Sequence, residues 1–110
     1  MSRKYLPTRR QVTTTTITWN EHLFDLTIGF YDEELLHPGE VFANSGKTPE
    51  AVQQLVQDAC VLISVALQHG ISPSALGKSI PRFDNGAPYT IIGTICDILI
   101  QTTKGENSES

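Results

Sequence analysis

The chain has 110 residues, a formal net charge of -4 and 39% hydrophobic residues, which suits one soluble domain with a modest core. The acidic balance argues against non-specific binding to long nucleic acids, which takes a basic surface. No apolar run approaches the ~20 residues of a membrane span, and "MSRKYLPTRR" lacks the apolar core of a signal peptide, so a cytoplasmic protein is expected.

Residues 1–10 are basic, contain Pro7 and read as extended, with 1–5 as an N-terminal arm to the domain. "QVTTTTITW" follows as a β-branched strand with a solvated threonine side. Asn20-Glu21 predicts a tight turn, because Asn tolerates positive φ. "HLFDLTIGFY" then alternates: Phe24, Leu26, Ile28 and Phe30 point to a core, and Asp25, Thr27 and Gly29 point away. "DEELLHPG" reads as a loop, and "EVFAN" as a third antiparallel strand with an open edge of the kind small domains cover by oligomerising.

The period changes from Pro49 to His69, where Val52, Leu55, Val56, Ala59, Ile63, Ala66 and Leu67 recur at helical spacing. Thr48 predicts the N-cap, Pro49 the first helical position and Gly70 the stop. "SPSALGKS" repeats the cap-then-proline signal as a short helix, and "IPRFDNGAP" reads as a loop. "YTIIGTICDILIQT" places Ile91, Ile92, Ile95, Ile98 and Leu99 on one helical face, although its β-branched content leaves strand open for part of it. The polar 104–110 predicts a disordered tail. The order is β-β-β-α-α-α: an α+β domain over 6–103, with a three-stranded antiparallel sheet and three helices packed on one of its faces.

"SGKT" over 45–48 invites a phosphate-loop reading that its surroundings reject. The motif's leading glycine would fall at Val41, Pro49 supplies no amide donor, and Glu50 repels phosphate. A turn at Gly46 and a helix start at Thr48-Pro49 explain the stretch, leaving Lys47 near a helix N-terminus that attracts anions. His22, His37 and His69 lie in separate elements without metal-ligand spacing, so no metal or other cofactor is expected. Asp32, Glu33 and Glu34 read as a solvated turn. Cys60 and Cys96, far apart on apolar helix faces, read as buried reduced thiols.

The remaining cations offer a ligand site. Arg9 and Arg10 precede the first strand, and Lys47, Lys78 and Arg82 lie at helix ends or adjoining loops. Phe83, Asn85 and Tyr89 accompany Arg82. Arginine forks onto phosphate, an aromatic ring stacks on a base, and asparagine reads a base edge, a set suited to a small nucleotide. As a loop residue without a packing role, Arg82 is expected to be replaceable at a cost below ~0.5 kcal/mol. The plain alternative is a surface loop with Phe83 in the core and a turn at Asn85-Gly86.

Several of these segments together carry a resemblance. "LPTRR", "LFDLTIGFYDE", "PGEVFANSGK", "ISVALQHGISPSAL", "IPRFDNG" and "TICDIL" are similar, in order, to the LP-x-R, YLTVG-type strand, PGEIFI-x-x-x-K, SLALQ-[YH]-G-[VI]-P-x-x-x-L, RF-x-x-x-G and SI-x-D-x-I segments of the TSCPD domain. That domain is the C-terminal accessory region of vitamin B12-dependent ribonucleotide reductases, and the resemblance covers roughly residues 6–101. The reductase's catalytic barrel, with its active-site cysteines and cobalamin site, has no counterpart in these 110 residues. Nor has its cysteine-bearing tail.

The resemblance therefore implies an α+β domain linked to nucleotides and not catalytic by itself, expected as a homo-oligomer or as the partner of a ribonucleotide reductase. A second expectation rests on the cation and aromatic set: sequestration of a small cyclic nucleotide immune signal, as phage anti-defence proteins do. A nucleotide-processing enzyme ranks last, for want of a visible base, nucleophile or metal set.

Overall fold

Asn20 and Glu21 both adopt positive φ, 47° and 68°, the geometry of a two-residue hairpin turn whose twist matches that of its strands. They join β1 (Gln11–Trp19) to β2 (His22–Phe30), and β3 (Pro38–Asn44) completes an antiparallel sheet of order β1-β2-β3. Three helices follow: α1 (Glu50–Gln68), α2 (Pro73–Ser79) and α3 (Ile91–Thr102). This computed structural model describes residues 2–103. The expected tail over 104–110 lies outside the described residues.

The alternation of β2 sorts the two faces of the sheet. Phe24, Leu26, Ile28 and Phe30 are buried, joined by Ile17 of β1 and by Val41 and Ala43 of β3. Val56, Cys60, Ile63 and Leu67 of α1 and Ile91, Ile95, Cys96 and Leu99 of α3 close the same core. The opposite face carries the threonines, where Thr16 Oγ1 donates to Asp25 at 3.0 Å. Val12, Leu23 and Phe42 stand exposed there.

The edge of β3 is not open. α1 runs along it, antiparallel, and presents a polar stripe at four-residue intervals. The Ala43 amide donates to the Cys60 sulfur. Ser64 Oγ accepts from the Val41 amide at 2.9 Å and donates to the Val41 carbonyl at 3.4 Å. Gln68 Nε2 donates to the Gly39 carbonyl at 2.8 Å. Four helical residues rise about 6 Å and two strand residues about 6.6 Å, so the two repeats stay in step over this length.

Helix ends follow local chemistry with one shift. Thr48 is buried and donates to Ser45 Oγ at 2.5 Å, so Pro49 takes the N-cap position and α1 begins at Glu50. Gly70 ends α1 at φ 92°. Its amide reaches the Leu67 carbonyl, and the Ile71 amide reaches that of Ala66, both at 3.0 Å, the paired bonds of a Schellman motif. Ser72 caps α2 and Thr90 caps α3 through their hydroxyls. α3 is helical throughout: this cap and the burial of Ile91, Ile95 and Leu99 outweigh its β-branched composition.

By length and composition α1 would also pass for a membrane span, but one side of it packs in the core. On its other side Leu55, Val61 and Leu62 are exposed.

Candidate functional site

The α2–α3 loop is built around Arg82. Its guanidinium forks onto Asp97 of α3, Nη2 to Oδ1 at 2.7 Å and Nη1 to Oδ2 at 3.1 Å. The same nitrogens donate to the carbonyls of Gly86 and Gly77, each at 3.0 Å. Arg82 thus ties the loop, α2 and α3 together, and four of its donor bonds are already made within the fold. The expectation of a loop residue with little structural role fails here, because the arginine's partner, Asp97, lies fifteen residues away along the chain.

The rest of the loop is a tight turn. Asn85 Oδ1 accepts from the Ala87 amide at 3.0 Å, and Gly86 sits at φ 90°. Phe83 does not enter the core. It is 57% exposed and meets the half-exposed Tyr89 edge to face at 4.5 Å between ring centres. Lys78 is exposed in the last turn of α2.

The other cations stand elsewhere. Arg10 Nε pairs with Glu40 Oε2 at 2.5 Å on the threonine face. Arg9 and Lys47 are exposed. No hydrogen bond, ion pair or ring contact among the described residues joins Arg9 and Arg10, Lys47, and the Lys78–Tyr89 group to one another.

Two grooves flank the N-terminal arm instead, and none of these eight residues lines either. The arm is fixed by the Lys4 amide on the Gln68 carbonyl at 2.8 Å. The Tyr31 hydroxyl donates to the Lys4 carbonyl, and burial raises the Tyr31 pKa. The larger groove, about 660 Å³, includes Lys4, Asp32, His37 and His69. Asp32 there accepts from the Leu36 and His37 amides, each at 2.9 Å. Burial pushes its carboxyl up, but those two amides and the His37 ring outweigh it and hold the pKa below the ordinary value.

The second groove, about 460 Å³, lies between β3 and α1 and includes Arg3, Phe42, Asn44, Gln57 and Val61. Arg3 Nε bonds Gln68 Oε1 at 2.5 Å, and the guanidinium lies 4.6 Å from the Tyr5 ring centre. Its terminal nitrogens make no hydrogen bond among the described residues, and neither do the side-chain amides of Asn44 and Gln57. Phe42 is 56% exposed. Glu40, the acidic group at this groove, has its charge balanced by Arg10. One groove therefore offers a guanidinium, an aromatic face and two amides.

These residues carry little signal in the sequence. The alternation that sends Val41 and Ala43 inward sends Phe42 out, and an aromatic on a solvated face was the available signal. Arg3 carried none, because its position depends on where the arm docks.

Thiol and metal chemistry find little here. Cys60 and Cys96 are free and buried. Burial pushes the Cys60 thiol up to about 11 and raises that of Cys96, so both are thiols at neutral pH. Among the described residues no three His, Cys, Asp or Glu side chains gather closely enough to hold a metal ion.

Comparison with curated proteins gives no significant match, and neither does comparison with solved structures. The family model of the TSCPD domain, in contrast, matches residues 2–104. With the whole described chain inside that match, this protein belongs to the TSCPD domain family and is a ribonucleotide-reductase-related domain.

Proposed function

We propose that this domain is a binding module, not catalytic by itself, and that the groove between β3 and α1 holds a small nucleotide. The carrying observation is the meeting of Arg3, Phe42, Asn44 and Gln57 in one groove of about 460 Å³. The guanidinium is suited to a phosphate. The Phe42 ring is suited to stack under a base, a contact worth ~1–3 kcal/mol. The two amides are suited to a base edge. The buried, protonated thiols support a ligand that is held rather than transformed.

A thermal-shift screen with nucleoside mono-, di- and triphosphates and cyclic nucleotides tests this reading. A binder should raise the melting temperature, and Arg3→Ala and Phe42→Ala should each weaken it at least about tenfold. Ligand recovered after heat denaturation should be chemically unchanged. If no nucleotide shifts the melting temperature, or if a nucleotide is turned over, the reading fails. The same screen separates the two roles expected of such a module. Preference for a cyclic nucleotide points to sequestration of a signal. Preference for a linear nucleotide, with capture of a ribonucleotide reductase, points to an accessory role.

A further inference from the structure

We propose that β1 pairs with β1 of a second copy, antiparallel about a two-fold axis through Thr15, joining two three-stranded sheets into one continuous sheet. Ser64 holds both main-chain groups of Val41, so these point away from β2. Main-chain groups alternate in direction along an antiparallel strand. Val41 faces Ile28, and Ile28 faces Thr13. Ile28 therefore turns its amide and carbonyl toward Thr13, and the odd-numbered residues of β1 bond inward to β2. Val12, Thr14, Thr16 and Thr18 are left with amide and carbonyl pointing outward, and β1 is the terminal strand of the sheet among the described residues.

An edge of this kind is usually protected by a charge, a proline or a bulge. β1 has no charged side chain and no proline, and its pairing with β2 runs without a bulge from Gln11 to Trp19. The occupant that fits is the strand itself. With the axis at Thr15, Val12 lies opposite Thr18 of the second copy and Thr14 opposite Thr16. All four outward residues are then paired, through about eight main-chain hydrogen bonds.

The same register sets β-branched side chains opposite one another at each step, Val12 with Thr18, Thr13 with Ile17 and Thr14 with Thr16. Moving the axis to Thr14 or Thr16 would leave part of the edge unpaired. This complementarity selects a second copy over an unrelated extended peptide.

Light scattering should give twice the 12.1 kDa chain mass, and a monomer at several hundred micromolar would overturn the proposal, whether or not the edge then takes a foreign peptide. Thr15→Cys places two thiols across the axis in a non-hydrogen-bonded pair, where Cα atoms lie about 4.5 Å apart and a disulfide can close. Oxidation should convert this variant to a covalent dimer, while Thr14→Cys, offset from its own copy, should stay uncrosslinked. The native Cys60 and Cys96 are buried and do not compete. A dimer in which Thr15→Cys fails to crosslink, or in which Thr14→Cys crosslinks equally, excludes this interface.

Discussion

Arg82 and Asp97 meet through two parallel bonds of 2.7 and 3.1 Å, so that a loop is held to α3 by a planar fork. The fork also spans carbonyls from α2 and from its own loop. Arg82→Ala should therefore lower the melting temperature clearly, whereas Lys78→Ala, on an exposed helix end, should leave it unchanged. Arg82→Lys should recover only part of the loss, because an ammonium cannot reproduce the fork. If Arg82→Ala melts like the wild type and loses only nucleotide binding, Arg82 is a ligand group and its structural role is refuted.

Ser64 is the centre of the stripe that seals the β3 edge, and its single hydroxyl serves both main-chain groups of Val41. Ser64→Ala leaves that amide and carbonyl without a partner against a packed helix. The expected loss is about 1–2 kcal/mol in denaturant unfolding. Hydrogen exchange of the Val41 amide should accelerate well beyond what this global loss explains, because the edge opens locally. Equal slowing or acceleration across all strands would contradict a local seal.

Gly29 is paired with Glu40 across the β2–β3 ladder, and the Glu40 side chain lies over the space a β-carbon would fill. A Cβ at position 29 would stand 2.7 Å from Glu40 Cγ. Gly29→Ala should push Glu40 off Arg10 and cost about 1–3 kcal/mol. In a Glu40→Ala background the collision is gone, and the same substitution should cost nearly nothing. A double-mutant cycle reads this coupling directly. Additive costs would show that Glu40 is not what confines position 29.

Much of this architecture can be read from local signals. The alternation of Phe24, Leu26, Ile28 and Phe30 predicts a strand with one buried face, and that face is the core. Asn20-Glu21 predicts the hairpin, and Gly70 the end of α1. What cannot be read locally is the partner of each polar group. Cys60, Ser64 and Gln68 recur at helical spacing, but their match to Ala43, Val41 and Gly39 exists only once α1 lies along β3. The expected open edge at β3 is closed for that reason, and the open edge is β1. The cations follow the same rule. Conspicuous cations at Arg10 and Arg82 are neutralised within the fold by Glu40 and Asp97. Arg3, inconspicuous in sequence, has terminal nitrogens without a hydrogen-bond partner among the described residues and lines a groove.

Asp32 sets a pH dependence whose direction follows from its hydrogen bonds. Its folded pKa lies below the ordinary 3.8 because the amides of Leu36 and His37 and the His37 ring favour the carboxylate more than burial disfavours it. Around pH 4 the unfolded chain therefore binds more proton at this site than the folded one. The resulting stability is fully present above the unfolded pKa and is lost as pH falls through the lower folded value. Asp32→Asn removes this titration while keeping one acceptor oxygen. The free-energy difference between wild type and Asp32→Asn should be flat from pH 7 to about 5 and shrink below about 4. A difference that grows on acidification would mean that the folded chain favours the protonated acid, and the loop from Asp32 to His37 would need another anchor.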